Sequence, residues 1–329
     1  MQMQEEGVVP DEATFSSALR ACKSAEFVDQ GKLLHDKIIR RDFDIGFILG
    51  TTIVDMYAKI GYLSEARCVL DNMPTRNVVS WGAMISGYTT HGFPDLAIET
   101  FLEMQHQGLK SDKSTFVCTL KACSLMRMAD EGSNIHAEIL KKGTFEEFPY
   151  VGCTLIDMYV KCHALVKAQQ LLERLPIRDV VTWTTLIGGY ANHDFGVEAL
   201  NYYGNMQGEG VTPNAHTYVC SLKACGILKD AKKGKEIHSD IIKKDLLKNE
   251  VVGSALIDMY GKCGLLAKAH EVFDQFHVQD VISWNALIGG YNKHRLGYEA
   301  LNYFGRMKLE CISPNLVTLL CIVQACCSI

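Results

Sequence analysis

Residues 179–190 have the sequence DVVTWTTLIGGY, and two further segments nearly repeat it, NVVSWGAMISGY at 77–88 and DVISWNALIGGY at 280–291. Trp81, Trp183 and Trp284 mark the same position in the three copies, at spacings of 102 and 101 residues. A module that recurs in register at this length predicts a stacked repeat protein. In such a protein each repeat packs on its neighbours, and a residue takes its role from its position in the repeat.

The apolar residues of these segments have the spacing of a helix buried on one face. In 280–291 they recur at i, i+3, i+4 and i+7, as Trp284, Leu287, Ile288 and Tyr291. Asp280 precedes this run at the place of an N-cap. Two packed helices joined by a short turn, repeated along the chain, predict an all-α superhelix.

These signals divide the chain into hairpins whose lengths alternate among 35, 36 and 30 or 31 residues. The predicted hairpins span 11–45, 46–76, 77–111, 112–147, 148–178, 179–213, 214–249, 250–279 and 280–314, and 315–329 begins another. Residues 3–10, MQEEGVVP, match the closing turn MQGEGVTP at 206–213, so 1–10 is predicted to end a truncated hairpin. We therefore expect one solenoid over 1–329 that is a piece of a longer protein.

Composition narrows the range of functions. The 329 residues carry a net charge of −5, whereas a protein that binds nucleic acid mainly through phosphates is usually basic. Nucleic-acid binding would therefore rest on local basic groups and base contacts. No apolar run reaches the roughly 18 residues of a membrane helix, so no membrane association is predicted.

The thirteen cysteines recur in phase with the module. Nine of them form three sets: Cys22, Cys123, Cys225 and Cys326; Cys118, Cys220 and Cys321; Cys162 and Cys263. Free cysteine packs well as a small apolar side chain. We therefore predict thiols in a reducing compartment rather than a disulfide framework.

Several strings resemble the plant pentatricopeptide repeat proteins of the PLS subclass: TTLIGGY, NALIGGY, LIDMYVKC, LIDMYGKC and LKACSLMRMADEGSNIHAEI. Repeats of that subclass alternate among P, long L and short S forms. The resemblance assigns P to 77–111, 179–213 and 280–314, L to 11–45, 112–147 and 214–249, S to 46–76, 148–178 and 250–279, and a partial L to 315–329. It covers essentially the whole chain and implies a right-handed α-α solenoid. Tetratricopeptide repeats share this architecture, but at a regular 34 residues and with another signature.

The resemblance implies binding of single-stranded RNA, with one base recognised per repeat by two side chains. Carried onto this sequence, the family's fifth and last positions give four recognition pairs. Asn285 with Asn315 implies a pyrimidine, Thr184 with Asn214 and Thr51 with Asn77 imply adenine, and Ser254 with Asp280 implies guanine. Asn supplies donor and acceptor together, and a hydroxyl supplies either.

Five hairpins depart from this pattern. Two pair an unsuitable fifth residue with an acid, Gly82 with Asp112 and Cys153 with Asp179. In the L hairpins the fifth position holds Ser16, Val117 or Val219. Gly has no side chain and Val cannot form a hydrogen bond with a base, so the L hairpins are expected to provide spacing.

Two further sets of residues are implied to contact the RNA. Apolar residues two places into each first helix would sandwich bases: Ile48, Val79, Tyr150, Val181, Val251 and Ile282. Helix packing is the alternative role for them, and Tyr150 alone offers an aromatic platform. Lysines eight residues after the fifth position would contact phosphates: Lys59, Lys161, Lys262 and Lys293. Cations that complement a helix dipole are the alternative.

No catalytic or metal site is predicted. Histidines recur about a hundred residues apart, at 35, 136 and 238 and at 91, 193 and 294, too far apart to share a metal in a solenoid. His136-Ala137-Glu138 matches the H-x-E of zinc deaminases, but the chain has no C-x-x-C to complete the ligand set. We predict a protein that is not an enzyme and needs no cofactor.

The predicted function is sequence-specific RNA binding in a chloroplast or mitochondrion. In the family that this chain resembles, such tracts commonly guide C-to-U editing of an organellar transcript, with the deaminase supplied by a C-terminal extension or a partner. Stabilisation, splicing or translation of an organellar RNA is the alternative. A protein-binding helical scaffold is a third possibility, and the acidic composition keeps it open.

Overall fold

The computed structural model describes residues 10–22, 27–40, 46–143, 149–275 and 280–329, and within these ranges it contains nineteen α-helices and no strand. In chain order they are α1 Glu12–Ala21, α2 Val28–Arg40, α3 Phe47–Ile60, α4 Leu63–Asn72, α5 Val78–Thr90, α6 Pro94–His106, α7 Lys113–Met126, α8 Ala129–Lys141, α9 Pro149–Lys161, α10 Leu165–Arg174, α11 Val180–Asn192, α12 Gly196–Gly208, α13 Ala215–Leu228, α14 Ala231–Lys243, α15 Glu250–Lys262, α16 Leu266–Asp274, α17 Val281–Lys293, α18 Gly297–Leu309 and α19 Leu316–Ser328. The predicted truncated hairpin lies outside the described residues except for Pro10. The fold is an all-α helical-repeat solenoid, as predicted.

The chain forms two compact units, Met1–Ala164 and Leu165–Ile329. In the first unit the odd-numbered helices α1, α3, α5, α7 and α9 pack on one another in series, and in the second unit α11, α13, α15, α17 and α19 do the same. The even-numbered helices pack against the odd-numbered helices of their own unit. Odd-numbered helices are called first helices below, and even-numbered helices are called second helices.

Polar side chains set where most first helices begin. The N-caps of α5, α7, α11, α13, α17 and α19 are Asn77, Asp112, Asp179, Asn214, Asp280 and Asn315. In each case the side-chain oxygen accepts a hydrogen bond from the backbone N–H three residues on. Six of the ten predicted hairpin starts fall at these caps, and a seventh falls at Asp11, the N-cap of α1. A side-chain N-cap satisfies one of the four free N–H groups at a helix start.

The repeated tryptophans fill the core between successive hairpins. Trp81, Trp183 and Trp284 are at most 2% exposed. In the second unit Phe273 of α16 meets the ring of Trp284 edge-on, with ring centroids 4.7 Å apart. In the first unit the guanidinium of Arg67, from α4, lies 5.9 Å from the centre of the Trp81 ring. Trp81 and Trp284 therefore contact the preceding second helix, whereas the ring of Trp183 lies beside Tyr202 of the following second helix α12, with ring centroids 6.4 Å apart.

Glycine allows first helices to approach closely near their C-terminal ends. A Cβ on Gly87 of α5 would lie 2.7 Å from the Cβ of Ala58 in α3. In the second unit Gly290 of α17 faces Gly261 of α15, and a Cβ on either would lie 3.1 Å from the other's Cα. A larger residue at these positions would force the neighbouring helices apart.

The in-phase cysteines act as packing residues. Cys123 and Cys225 are fully buried, and burial raises the pKa of each thiol to about 12. Burial also raises the pKa of Cys220 to about 11. Thiols with such high pKa values are poor nucleophiles at neutral pH. Cys326, in the last helix of the chain, is exposed.

A His–Tyr hydrogen bond recurs between a second helix and the next first helix. The imidazole Nδ1 lies 3.1 Å from the tyrosine hydroxyl in His35–Tyr57 and 2.8 Å from it in His136–Tyr159 and His238–Tyr260. The rings of each pair meet edge-on or nearly so. These histidines therefore have a structural role at the interface between hairpins.

None of the helices in the described ranges combines the length and the hydrophobicity needed to cross a lipid bilayer.

We predict that the protein loses stability as the pH falls below about 6.5, the ordinary pKa of histidine. Burial lowers the pKa of His35 and of His238, and no residue of the described chain bonds the buried Nε2 of His238. Because the folded state disfavours the proton, the stabilisation is complete above pH 6.5 and declines as the pH decreases through that value toward the lower folded pKa. Urea denaturation between about pH 7.5 and about pH 5 measures it.

The control for this experiment is the variant His238→Gln, which cannot titrate in this range. Lys268 lowers the pKa of the imidazole and Glu271 raises it, and both of these charges are still present in the variant. The variant should show a shallower decline than the native chain. Equal slopes for the two proteins would contradict the assignment.

Candidate nucleic-acid interface

The predicted RNA-contact residues lie on one face of the first helices. Each base-sandwich residue is the second residue of its helix, each fifth-position residue is the fifth, and each lysine is the thirteenth. At about 100° per residue, positions 2, 5, 9 and 13 fall within about 80° of one another around the helix. Equivalent placement therefore puts the predicted contact residues of these six first helices on the same face of each helix.

In the first unit these stripes line a common groove of about 480 Å³. Its wall contains five of the predicted residues or partners: Thr51, Lys59, Val79, Gly82 and Asp112. Arg20 and Ser114, from the flanking first helices α1 and α7, line it as well. Recognition, sandwich and phosphate positions from consecutive helices thus share one concave surface.

Two predicted recognition pairs are connected by hydrogen bonds. The Asn285 amide Nδ2 donates to Asn315 Oδ1 at 3.0 Å. Thr318, three residues after that cap, donates its hydroxyl to Asn285 Oδ1 at 2.7 Å and to Asn315 Oδ1 at 3.1 Å. The threonine hydroxyl therefore orients both members of the pair. Amide N–H groups remain available on both asparagines.

The middle pair uses the same connection. Thr184 and Thr217 share a hydrogen bond of 2.7 Å between their hydroxyls, and Thr217 donates to Asn214 Oδ1 at 2.9 Å. Thr184 is only 5% exposed, and Thr217 is fully buried. In this pair Asn214 is the exposed member, and Thr184 is connected to it by hydrogen bonds through the Thr217 hydroxyl.

The other two predicted pairs are not joined directly. Ser254 is 7% exposed and donates its hydroxyl to the carbonyl of Glu250, while Asp280 accepts from the Ser283 N–H. The hydroxyl oxygen of Thr51 is buried and has no hydrogen-bond partner among the described residues. Contact of Ser254 or Thr51 with a base would require a rotation of the side chain.

The two hairpins in which an unsuitable fifth residue is paired with an acid differ from one another. Gly82 lines the groove, and a Cβ there would lie 3.2 Å from Thr115 Cγ2, so the position is also tightly packed. Cys153 is half-buried. Asp112 and Asp179, their predicted partners, are exposed caps that bond Thr115 and Thr182.

The apolar residues at position 2 are exposed to solvent. Their exposed fractions are 47% for Ile48, 56% for Val79, 81% for Tyr150, 50% for Val181, 62% for Val251 and 60% for Ile282. A row of exposed apolar side chains beside polar ones suits a surface that sandwiches flat, partly apolar groups. Their exposure argues against a packing role.

Three of the four predicted phosphate contacts are already paired. Lys59, Lys161 and Lys262 each form an ion pair with an aspartate four residues earlier, at 3.1, 2.8 and 2.5 Å. The first helices α3, α9 and α15, which carry these pairs, are called the Asp–Lys helices. Lys293 has Gly289 at the corresponding position and is exposed.

A hydroxyl three residues after each of the six caps of α5, α7, α11, α13, α17 and α19 was not predicted from the sequence. It is held by Ser80, Thr115, Thr182, Thr217, Ser283 and Thr318, all at most 4% exposed. The signal was present as Asn or Asp followed at i+3 by Ser or Thr, seven times in phase, the seventh being Asp11 with Thr14. Its capping role could have been recognised from the sequence, whereas the bonds of Thr217 and Thr318 to the preceding hairpin depend on tertiary packing.

The described residues contain no group of three or more His, Cys, Asp and Glu side chains placed to hold a metal ion.

Sequence comparison finds relatives over the whole chain. Models of the PPR repeat family match residues 76–124, 178–226 and 279–328, and a PPR repeat model matches 51–78 and 254–280. A chloroplastic pentatricopeptide repeat-containing protein of Arabidopsis thaliana is 38% identical over 92% of this chain and 49% of that protein. A putative mitochondrial one from the same plant is 36% identical over 95% of this chain and 50% of that protein. The chain thus spans about half the length of these relatives.

Solved structures share the fold. The crystal structure of the pentatricopeptide repeat protein PPR10 in complex with an 18-nt psaJ RNA element superposes with a TM-score of 0.80 at 18% identity, over 99% of this chain and 49% of that one. PPR10 from maize in another crystal structure gives a TM-score of 0.74 at 17% identity.

We predict that Thr217→Val destabilises the protein by about 1–3 kcal/mol, because it leaves the buried Thr184 hydroxyl without its hydrogen-bond partner. Thr217→Ser keeps the hydroxyl and should lose less. Thr185→Val is the control, since Thr185 is half-buried and bonds only the Val181 carbonyl of its own helix. Urea denaturation measures the three variants, and equal losses for Thr217→Val and Thr185→Val would exclude the proposed connection.

Proposed function

The chain belongs to the pentatricopeptide repeat family, and we propose that it binds single-stranded RNA along the exposed face of its first helices. The observation that carries the proposal is the groove of the first unit, where residues from positions 2, 5 and 13 of consecutive helices line one concave surface. PPR10, which shares the fold, has been crystallised with an RNA element, and this supports the proposal.

Base recognition would use the connected pairs first. Asn285 and Asn315 are held by Thr318 with amide N–H groups left to donate. A donor at this place suits the O2 carbonyl that cytosine and uracil share, in agreement with the pyrimidine that the family resemblance implies. Thr184 with Asn214 and Thr51 with Asn77 are proposed for adenine, and Ser254 with Asp280 for guanine.

We propose that the chain belongs to the PLS subclass, because its hairpin lengths alternate and because the polar residues on the exposed face of the first helices differ among the hairpin types. We further propose that the protein acts in a chloroplast or mitochondrion, because relatives carry those names. Guidance of C-to-U editing, with a deaminase on another segment or a partner, is the proposed role there. RNA stabilisation, splicing or translation would use the same binding, and comparison of organellar cDNA between mutant and wild-type plants separates editing from these.

Binding can be tested with the purified chain and an RNA that carries the proposed bases. One base for each of nine hairpins gives 5′-UAUUUAUGU-3′, with uracil at unassigned places. Fluorescence anisotropy should show binding that weakens when either adenine is replaced, and a double-stranded version should bind poorly. A chain that binds none of these RNAs would be explained better as a protein-binding scaffold.

We predict that Asn285→Thr shifts the preference at the last base from pyrimidine to adenine, because it recreates the Thr184–Asn214 pair. The reciprocal Thr184→Asn should shift the second adenine toward a pyrimidine. Each shift is expected to be about 1–3 kcal/mol of discrimination, by analogy with other bidentate base contacts. Binding to the four single-base probes measures it, and an unchanged order of base preference in both variants would refute the pair assignment.

We predict that Tyr150→Ala weakens RNA binding by about 1–3 kcal/mol through the loss of a stacking platform. Tyr150 is 81% exposed, so thermal stability should hardly change. Tyr298→Ala is the matched control, because Tyr298 is 73% exposed and is the second residue of the second helix α18. Equal effects of the two substitutions on RNA affinity would place the RNA elsewhere.

A further inference from the structure

At three of the four positions of the lysine pattern an aspartate balances the charge of the lysine, whereas Lys293 has Gly289 at position 9. In the Asp–Lys helices the lysines at position 13 are ion-paired with Asp55, Asp157 and Asp258 at position 9. Each such pair contributes no net charge. A phosphate approaching these lysines would also approach the aspartates, and the like charges would repel each other.

A second basic set lies at position 9 of three other first helices. Arg20 in α1, Lys121 in α7 and Lys223 in α13 are each the ninth residue of their helix. Arg20 and Lys121 are exposed, and Lys223 donates to the neutral amide of Asn192 at 2.7 Å. Within the described ranges no carboxylate lies within ion-pair distance of any of the three. We call α1, α7 and α13 the basic helices.

The position of these cations matches the proposed RNA path. Position 9 lies about 20° from position 2 and about 40° from position 5 around the helix, so the charge projects from the stripe that carries the recognition residues. Arg20 lines the same groove as Thr51, Asp55 and Val79. The next helix in the row therefore presents its recognition residue beside this guanidinium.

Two of the three basic helices lack a fifth residue that could form a hydrogen bond with a base. Their fifth residues are Val117 and Val219, whereas α1 has Ser16, which is 6% exposed. A helix with an uncompensated cation and no recognition residue is suited to hold the strand without selecting its sequence. Phosphate contacts of that kind position a nucleic acid and carry no sequence information.

We propose that Arg20, Lys121 and Lys223 are phosphate contacts of this chain, so that every third hairpin binds the RNA backbone while the hairpins between them contact bases. This inference rests on the proposed RNA binding. It assigns a ligand to hairpins that were expected to act as spacers. It also explains how a chain with a net charge of −5 can attract a polyanion.

The test is the salt dependence of binding to 5′-UAUUUAUGU-3′ by the full chain and the triple variant Arg20→Gln, Lys121→Gln, Lys223→Gln. Each lost contact with a single strand should reduce the slope of log affinity against log salt by about 0.7, or about two units in total. The preference for adenine over uracil at the second adenine should stay the same.

The matched control is Arg40→Gln, Lys141→Gln, Lys243→Gln. These residues are exposed, end the second helices of the same hairpins, and give the same change of charge with the same residue types. This triple should keep the native slope. Equal slopes for the native chain and the position-9 triple, or equal reductions in both triples, would overturn the inference.

A native chain that binds no RNA would instead refute the proposed function, and the inference with it. A further variant, Asp55→Asn, tests the charge argument directly. It releases Lys59 and removes a negative charge from the groove, so binding should tighten and the salt slope should rise. A weakened affinity in this variant would contradict the charge argument. Circular dichroism establishes that each variant is folded.

Discussion

The hydrogen bonds at the start of the first helices are the constraint on which the remaining structure depends. An Asn or Asp oxygen accepts the N–H three residues on, and the Ser or Thr at that residue is buried beneath it. A cap of this kind is worth about 1 kcal/mol. Its larger effect is geometric, because the cap fixes the residue at which the helix begins. Every position on the exposed stripe is counted from that residue.

Much of this arrangement could be predicted from the sequence. The tryptophan spacing indicated the stacked hairpins, and seven of the ten predicted hairpin starts coincide with side-chain caps. The exposed residues at position 2 also follow from counting along a helix. The burial of Thr184 and Ser254 could not be predicted in this way, because it depends on how closely the next first helix packs. Gly87 against Ala58 shows how small that separation is.

Other features were visible in the sequence but were interpreted too simply. Asp55 and Lys59 stand four residues apart in a helix, which is the spacing of an ion pair, yet the lysine was assigned to phosphate. Because the pairs are partly exposed, each contributes little stability. They act instead on the electrostatic field in the groove, because each aspartate cancels the positive charge of its lysine. Net charge over the whole chain therefore says little about the charge at the interface.

One set of residues carries both helix capping and the proposed recognition of bases. Asn and Asp are nearly equivalent as N-caps because both present an Oδ1 acceptor. They differ at the second atom of the group, which is a donor in Asn214 and Asn315 and an acceptor in Asp280. The chain can thus change the group presented to a base and keep the bond that starts the helix. This restricts recognition residues at the end of a hairpin to those that also cap, and it explains why specificity can vary among repeats while their packing stays the same.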